Sequence, residues 1–218
     1  MKKIILTALL IYLTVSAFSQ TGIVRELNGN VELKHAGALA FIPAEAGSEV
    51  SQNSIISTGF RSTAIIAIGS TLITVQPLTR LTLAEISQSS NTENLNVNLQ
   101  TGRIRVDVKP PAGTKANTTV QSPSATASVR GTSYEMDTKT LSVLDGMVNW
   151  KDNNGSASNI PGGFKGAIDT NGKQKNHIVL SIESTVISSP VGSGMSGETV
   201  GAPVVSIPAG ELSIDLTW

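Results

Sequence analysis

From Asn94 to Lys109 the chain alternates polar and apolar side chains with a period of two. Leu95, Val97 and Leu99 are separated by Asn94, Asn96 and Asn98, and Ile104, Val106 and Val108 by Arg105 and Asp107. A period of two sends successive side chains to opposite faces of an extended strand, so each run offers one face to a core and one to water. Gln100-Thr101-Gly102 joins the runs, which predicts an antiparallel pair. Upstream, Ile55–Thr58, Thr63–Ile68, Thr71–Val75 and Arg80–Leu83 are short β-branched runs punctuated by Gly59, Gly69-Ser70 and Gln76-Pro77. No window there repeats apolar residues at helical spacing. The expected fold is all-β: short antiparallel strands and hairpins forming a sandwich or a solenoid-like roll.

Two further places carry the local signature of a tight hairpin, a residue able to take positive φ followed by glycine. They are Asn28-Gly29, between Gly22–Leu27 and Asn30–Lys34, and Asp145-Gly146, between Leu141–Leu144 and Met147–Trp150. Pro43 to Asn53 reads as a loop. The most distinctive run is Val129-Arg130-Gly131-Thr132-Ser133-Tyr134, where an arginine and a glycine interrupt a strand. Glycine inside a strand pattern predicts a bulge or a close backbone approach at Gly131. The Arg130 guanidinium is then expected to be buried or bridging, bonding backbone carbonyls or pairing with Glu135 or Asp137, so that Arg130→Ala lowers the melting temperature. The alternative is a fork that grips a carboxylate or phosphate on a partner.

Met1-Lys2-Lys3 followed by Ile4 to Val15 has the basic start and short apolar run of a secretory signal, with small residues ending at Ser19. Residues 1–19 are therefore expected to be cleaved, and the protein to be periplasmic or secreted. No cysteine follows the run to accept a lipid anchor. The absence of cysteine also excludes disulfides and Cys-based metal centres. Residues 20–150 are expected to form the β domain, 151–166 a loop or linker, and 167–218 a β extension that is partly loop. Without Lys2 and Lys3 the 14 remaining cations face 16 anions, a net charge of −2. That balance lacks the basic patch a nucleic-acid partner demands, and the few aromatics make a poor stacking platform.

The span from Gly22 to Trp150 resembles the FecR-like domain family of envelope proteins. The resemblance is carried by Gly22-Ile23-Val24, Gly29-Asn30-Val31, Ile56-Ser57-Thr58-Gly59, Leu81-Thr82-Leu83, Leu99-Gln100-Thr101-Gly102-Arg103-Ile104, Ser122-Pro123-Ser124-Ala125, Val129-Arg130-Gly131-Thr132 and Leu144-Asp145-Gly146-Met147-Val148. It implies an all-β domain outside the cytoplasm. Its best-known members are transmembrane regulators that sense an occupied outer-membrane receptor and control a sigma factor. This sequence instead looks like a stand-alone secreted form, with a cleavable signal in place of the helical cytoplasmic domain. Gly102, Val129, Arg130, Gly131, Thr132, Tyr134, Asp145 and Gly146 are the family-motif residues, and a structural role is expected for them.

No cofactor or metal site is expected. Gly192-Ser193-Gly194-Met195-Ser196-Gly197 fits the dinucleotide pattern, but Glu198 to Pro203 cannot open the helix that would receive a pyrophosphate. His35 and His177 are the only histidines and have no carboxylate at ligand spacing. Glu135 and Asp137 share a strand face at roughly 7 Å, a spacing open to glycosidase carboxylates. The residues otherwise favour a non-enzymatic binding or scaffold module for an envelope protein or polysaccharide. The alternative is a sensor that works through a membrane partner in sigma-factor signalling, with a glycan hydrolase ranked last.

Overall fold

In the computed structural model, residues 21–89 and 91–177 are described, and they form two facing β-sheets. The first contains β1 (Gly22–Asn28), β4 (Glu49–Val50), β6 (Thr63–Ile68), β7 (Thr71–Val75), β10 (Arg103–Val108), β13 (Ser133–Asp137), β14 (Thr140–Asp145) and β17 (Lys165–Ala167). The second contains β2 (Val31–Lys34), β3 (Ile42–Pro43), β5 (Ile55–Thr58), β8 (Arg80–Ser89), β9 (Thr92–Thr101), β11 (Lys115–Gln121), β12 (Ala125–Val129), β15 (Met147–Asp152) and β16 (Ala157–Pro161). Their orders are β17-β14-β13-β10-β7-β6-β1-β4 and β16-β15-β12-β11-β9-β8-β5-β2-β3. The chain therefore adds strands to the two sheets in turn as it advances, and this is the all-β architecture that the alternation predicts.

The period of two holds along most strands and slips at the bulges in β1 and β8. Ala64, Ile66 and Ile68 of β6, Leu95, Val97 and Leu99 of β9, and Ile104, Val106 and Val108 of β10 are all buried, and their neighbours turn outward. Tyr134, Met136, Leu141, Val148, Trp150 and Ile160 continue one core toward the later strands. Each Val, Leu, Ile or Met among these contributes about 1.5–3 kcal/mol by leaving water.

The pairing, however, differs from the predicted hairpins at all three places. β1 bonds to β4 and β6 whereas β2 bonds to β3 and β5, so Asn28-Gly29 does not close a hairpin. β9 bonds to β8 and β11, while β10 bonds to β7 and β13. β14 bonds to β13 and β17, while β15 bonds to β12 and β16. In each case the chain crosses from one sheet to the other at the glycine. Positive φ at Gly29 (78°), Gly102 (87°) and Gly146 (81°) suits a sharp corner as well as it suits a tight hairpin. Because β10 lies in the first sheet, β9 and β11 meet side by side in the second and pair in parallel, with Leu95 opposite Thr118 and Val97 opposite Val120. The hairpins that do form are β2–β3, β6–β7, β8–β9, β11–β12, β13–β14 and β15–β16.

Residues 151–166, expected as a linker, hold the end of β15, all of β16 and the start of β17. Their Asn, Gly and Ser content reads as loop, yet Ile160 fills a core position and Gly166 lies under the Trp150 ring, where an added Cβ would overlap it. The Pro43–Asn53 loop likewise holds the end of β3 and all of the two-residue strand β4. All described residues belong to one compact unit, Met1–Val186. The signal expected at 1–19, the glycine-rich pattern at 192–197 and most of the 167–218 extension lie outside the described residues.

Candidate functional site

The corners are built from a glycine and a buried hydroxyl. At Gly102 a Cβ would strike the Thr79 hydroxyl, lie 2.5 Å from the Thr79 Cα and 2.7 Å from the Leu78 carbonyl. Thr79 uses the space that glycine leaves: its Oγ1 accepts from the Arg103 amide (2.9 Å) and donates to the Arg103 carbonyl (3.1 Å). At Gly29 the Ser62 hydroxyl fills the same place and accepts from the Asn30 amide (2.8 Å). At Gly146 the hydroxyl belongs to Thr132, 2.9 Å from where a Cβ would stand, and it donates to the Met147 carbonyl (3.1 Å). Each hydroxyl thus bonds the residue that follows the glycine. At these part-buried corners the side chains supply hydrogen bonds to the backbone where the chain changes sheet.

Val129-Arg130-Gly131-Thr132 is a fourth crossing, from β12 to β13. Gly131 has φ 71°, and a Cβ there would meet nothing nearer than Pro110 at 3.6 Å, so its conformation rather than close packing calls for glycine. Val129 and Thr132 are buried, and the Val108 amide donates to the Thr132 carbonyl (3.1 Å). Tyr134 is fully buried, and burial pushes its phenol above the ordinary value. Among the described residues its hydroxyl has no hydrogen-bond partner. Asp145 is exposed beside Gly146. Thr132 therefore joins two of the motif pieces, since it is the hydroxyl that backs the Asp145-Gly146 corner.

Arg130 meets the expectation of a bridge but not of burial or of its partners. It is exposed, and its Nε donates to Asn117 Oδ1 (3.0 Å) on β11, not to a backbone carbonyl, Glu135 or Asp137. Odd-numbered residues of β11 and β15 and even-numbered residues of β12 point outward, which turns the guanidinium onto the outer face of the second sheet, away from β13. Asn117 in turn donates to Asn94 Oδ1 (3.0 Å). Beside them, a register row crosses β8, β9, β11, β12, β15 and β16 through Glu85, Asn96, Thr119, Ser128, Asn149 and Asn159. Asn96 donates to Glu85 (2.6 Å) and Asn149 to Asn159 (2.9 Å). A groove of about 610 Å³ runs over this face beside the Arg130 corner, with Asn117, Ser128, Met147, Asn149 and Asn159 in its walls.

The outer face of the first sheet is charged. Arg105 on β10 is opposite Glu135 on β13, which is opposite Ser142 on β14 and then Lys165 on β17. Arg103 pairs with Asp137 at 3.2 Å and Arg105 with Asp107 at 3.0 Å. Asp137 is committed to the β13–β14 turn, where it accepts from the Lys139 amide (2.8 Å), the Thr140 amide (2.7 Å) and the Thr140 hydroxyl (2.7 Å). Burial alone would raise its carboxyl, but these donors and Arg103 together hold it below the usual carboxylate range. A carboxylate so held is a poor proton donor near neutral pH. A second groove of about 520 Å³ is lined by Arg103, Glu135, Asp137, Thr140 and Lys165. His35 and His177 are far apart in sequence; the His177 ring meets Phe164 edge to face at 5.8 Å. Among the described residues no three metal-ligating side chains cluster.

Residues 54–149, from the residue before β5 into β15, match the FecR protein family. Those residues carry a FecR domain. All four Gly crossings except Gly29 fall inside the matched span. Two crystal structures of a "putative anti-sigma factor" from Parabacteroides distasonis ATCC 8503, at 1.65 Å and 2.50 Å resolution, are similar at 18% identity and a TM-score of 0.46. The match covers 56% of this chain and 59% of theirs, so the chain spans about three fifths of their length. No curated protein matches the chain.

The groove residues on the second sheet escape a reading of the sequence. Asn117, Ser128, Asn149 and Asn159 come from four strands, and only the register brings them side by side. Their one legible trace is that each occupies the outward position of an alternating run.

Proposed function

We propose that the chain is a regulatory component of the sigma-factor signalling type, exported to the cell envelope, which acts by contact with a partner protein and not by catalysis. The observation that carries this reading is the FecR domain over residues 54–149. The polar outer faces of both sheets support it, since a regulator that works by contact needs an accessible surface with fixed side chains. So does the commitment of Asp137 to a turn, which takes one member of the Glu135–Asp137 pair away from proton transfer. Fractionation of the tagged full-length protein should recover it from the envelope. Deleting the gene should shift transcription of one coherent set of sigma-factor-dependent genes, and full-length protein supplied in trans should restore it. Unchanged transcription in the deletion strain would refute the regulatory reading.

A further inference from the structure

We infer that the groove beside the Val129–Thr132 corner binds an acidic peptide segment, with Arg130 receiving its carboxylate. This rests on the protein-partner reading above and names the chemistry of the contact. Three observations lead to it. First, among the residues lining the groove, Arg130 is the sole charged side chain, so a cation faces a cleft whose other polar groups are neutral. Second, Asn117 holds the exposed guanidinium by Nε alone and is itself held by Asn94, and among the described residues the two terminal nitrogens of the fork have no hydrogen-bond partner. A guanidinium presented in this way matches a carboxylate through two parallel N–H···O bonds.

Third, the walls suit a peptide. Asn149 and Asn159 pair with each other and keep further amide donors and acceptors for a backbone, as do the hydroxyls of Ser128 and Thr119. Met147, 55% exposed at the groove, supplies an adaptable apolar contact. An acidic sugar would bring the same carboxylate, but no aromatic side chain lines the groove to stack on a pyranose ring. The groove therefore favours the peptide over the glycan. Arg130, which the sequence presents as a strand-bridging device, becomes the first contact for the partner.

Titration of the isotope-labelled full chain, followed by nuclear magnetic resonance, tests this directly. The probe is the capped tripeptide acetyl-Gly-Asp-Gly-amide, with acetyl-Gly-Asn-Gly-amide, glucuronate and inorganic phosphate as separate arms. The Asp peptide should give saturable shifts at the Arg130 Nε–H and at the side-chain amides of Asn117, Asn149 and Asn159. The Asn peptide should bind about tenfold more weakly, as a charge-assisted bond is replaced by a neutral one. Arg130→Lys should retain part of the response and Arg130→Gln should abolish it. The inference is overturned by the absence of saturable shifts at Arg130, by equal response to the Asn peptide, or by tighter binding of glucuronate or phosphate. A deletion strain with unchanged transcription would sink the regulatory reading and leave this titration standing. A failed titration would remove the acidic-peptide site alone.

Discussion

Replacing Gly102 by asparagine separates a corner between sheets from a hairpin turn. Asparagine tolerates positive φ, and in a two-residue hairpin turn it is among the preferred residues. At the corner seen here, its Cβ would lie 2.5 Å from the Thr79 Cα and 2.7 Å from the Leu78 carbonyl, and would displace the Thr79 hydroxyl from Arg103. Forcing atoms into a filled site costs about 1–3 kcal/mol. Losing the hydrogen bonds of a buried hydroxyl adds about 1–3 kcal/mol. Alanine carries a further penalty of roughly 1–2 kcal/mol for left-handed backbone. Gly102→Asn should therefore destabilise by about 2–6 kcal/mol, against a total that for single domains is on the order of 5–15 kcal/mol. Gly102→Ala should be worse. In urea melts followed by tryptophan fluorescence, which reports on the buried Trp150, the asparagine variant should unfold at clearly lower denaturant. A loss under about 1 kcal/mol would refute the corner and restore the hairpin.

Two other outcomes follow from the same contacts. Thr132→Val keeps the shape but removes the donor to the Met147 carbonyl at a part-buried corner; it should cost about 0.5–1.5 kcal/mol in the same melt, and Thr132→Ser should recover part of it. Asp137 has its carboxyl held below the ordinary value, so its contribution is present above the unfolded pKa and is lost as pH falls through the lower folded one; thermal melts from pH 6 to pH 2 should fall less steeply in Asp137→Asn than in the parent, and parallel curves would contradict the assignment.

The sequence made the faces of the strands legible but not their partners. In β9 and β10 the alternation names each buried residue, because a period of two depends only on which side of the backbone a residue lies. It says nothing about which of two facing sheets a strand joins, since both sheets offer the same apolar interior. Gly29, Gly102 and Gly146 make the point: positive φ is visible as a requirement, but the same conformation closes a hairpin or turns a corner. The hydroxyls that decide between the two, Ser62, Thr79 and Thr132, lie 33, 23 and 14 residues from the glycines they back and look like ordinary strand or loop residues. The partner of Arg130 is hidden for a related reason. The arginine's interruption of a strand is local, whereas its outward direction and its bond to Asn117 depend on β11 pairing beside β12. Residues 151–166 read as loop by composition, because β16 and β17 commit few side chains to the core.

Arg130→Ala, examined for both stability and output, tests the central claim most directly. The guanidinium is exposed and has one side-chain bond, so its loss should cost no more than about 1 kcal/mol, and the melting midpoint should move by only a few degrees. Expressed in the deletion strain at parental level, this variant should fail to restore the transcription that the parent protein restores. A variant that melts far below the parent would return Arg130 to a structural role. One that melts normally and restores transcription in full would contradict the claim that this corner is where the domain meets its partner.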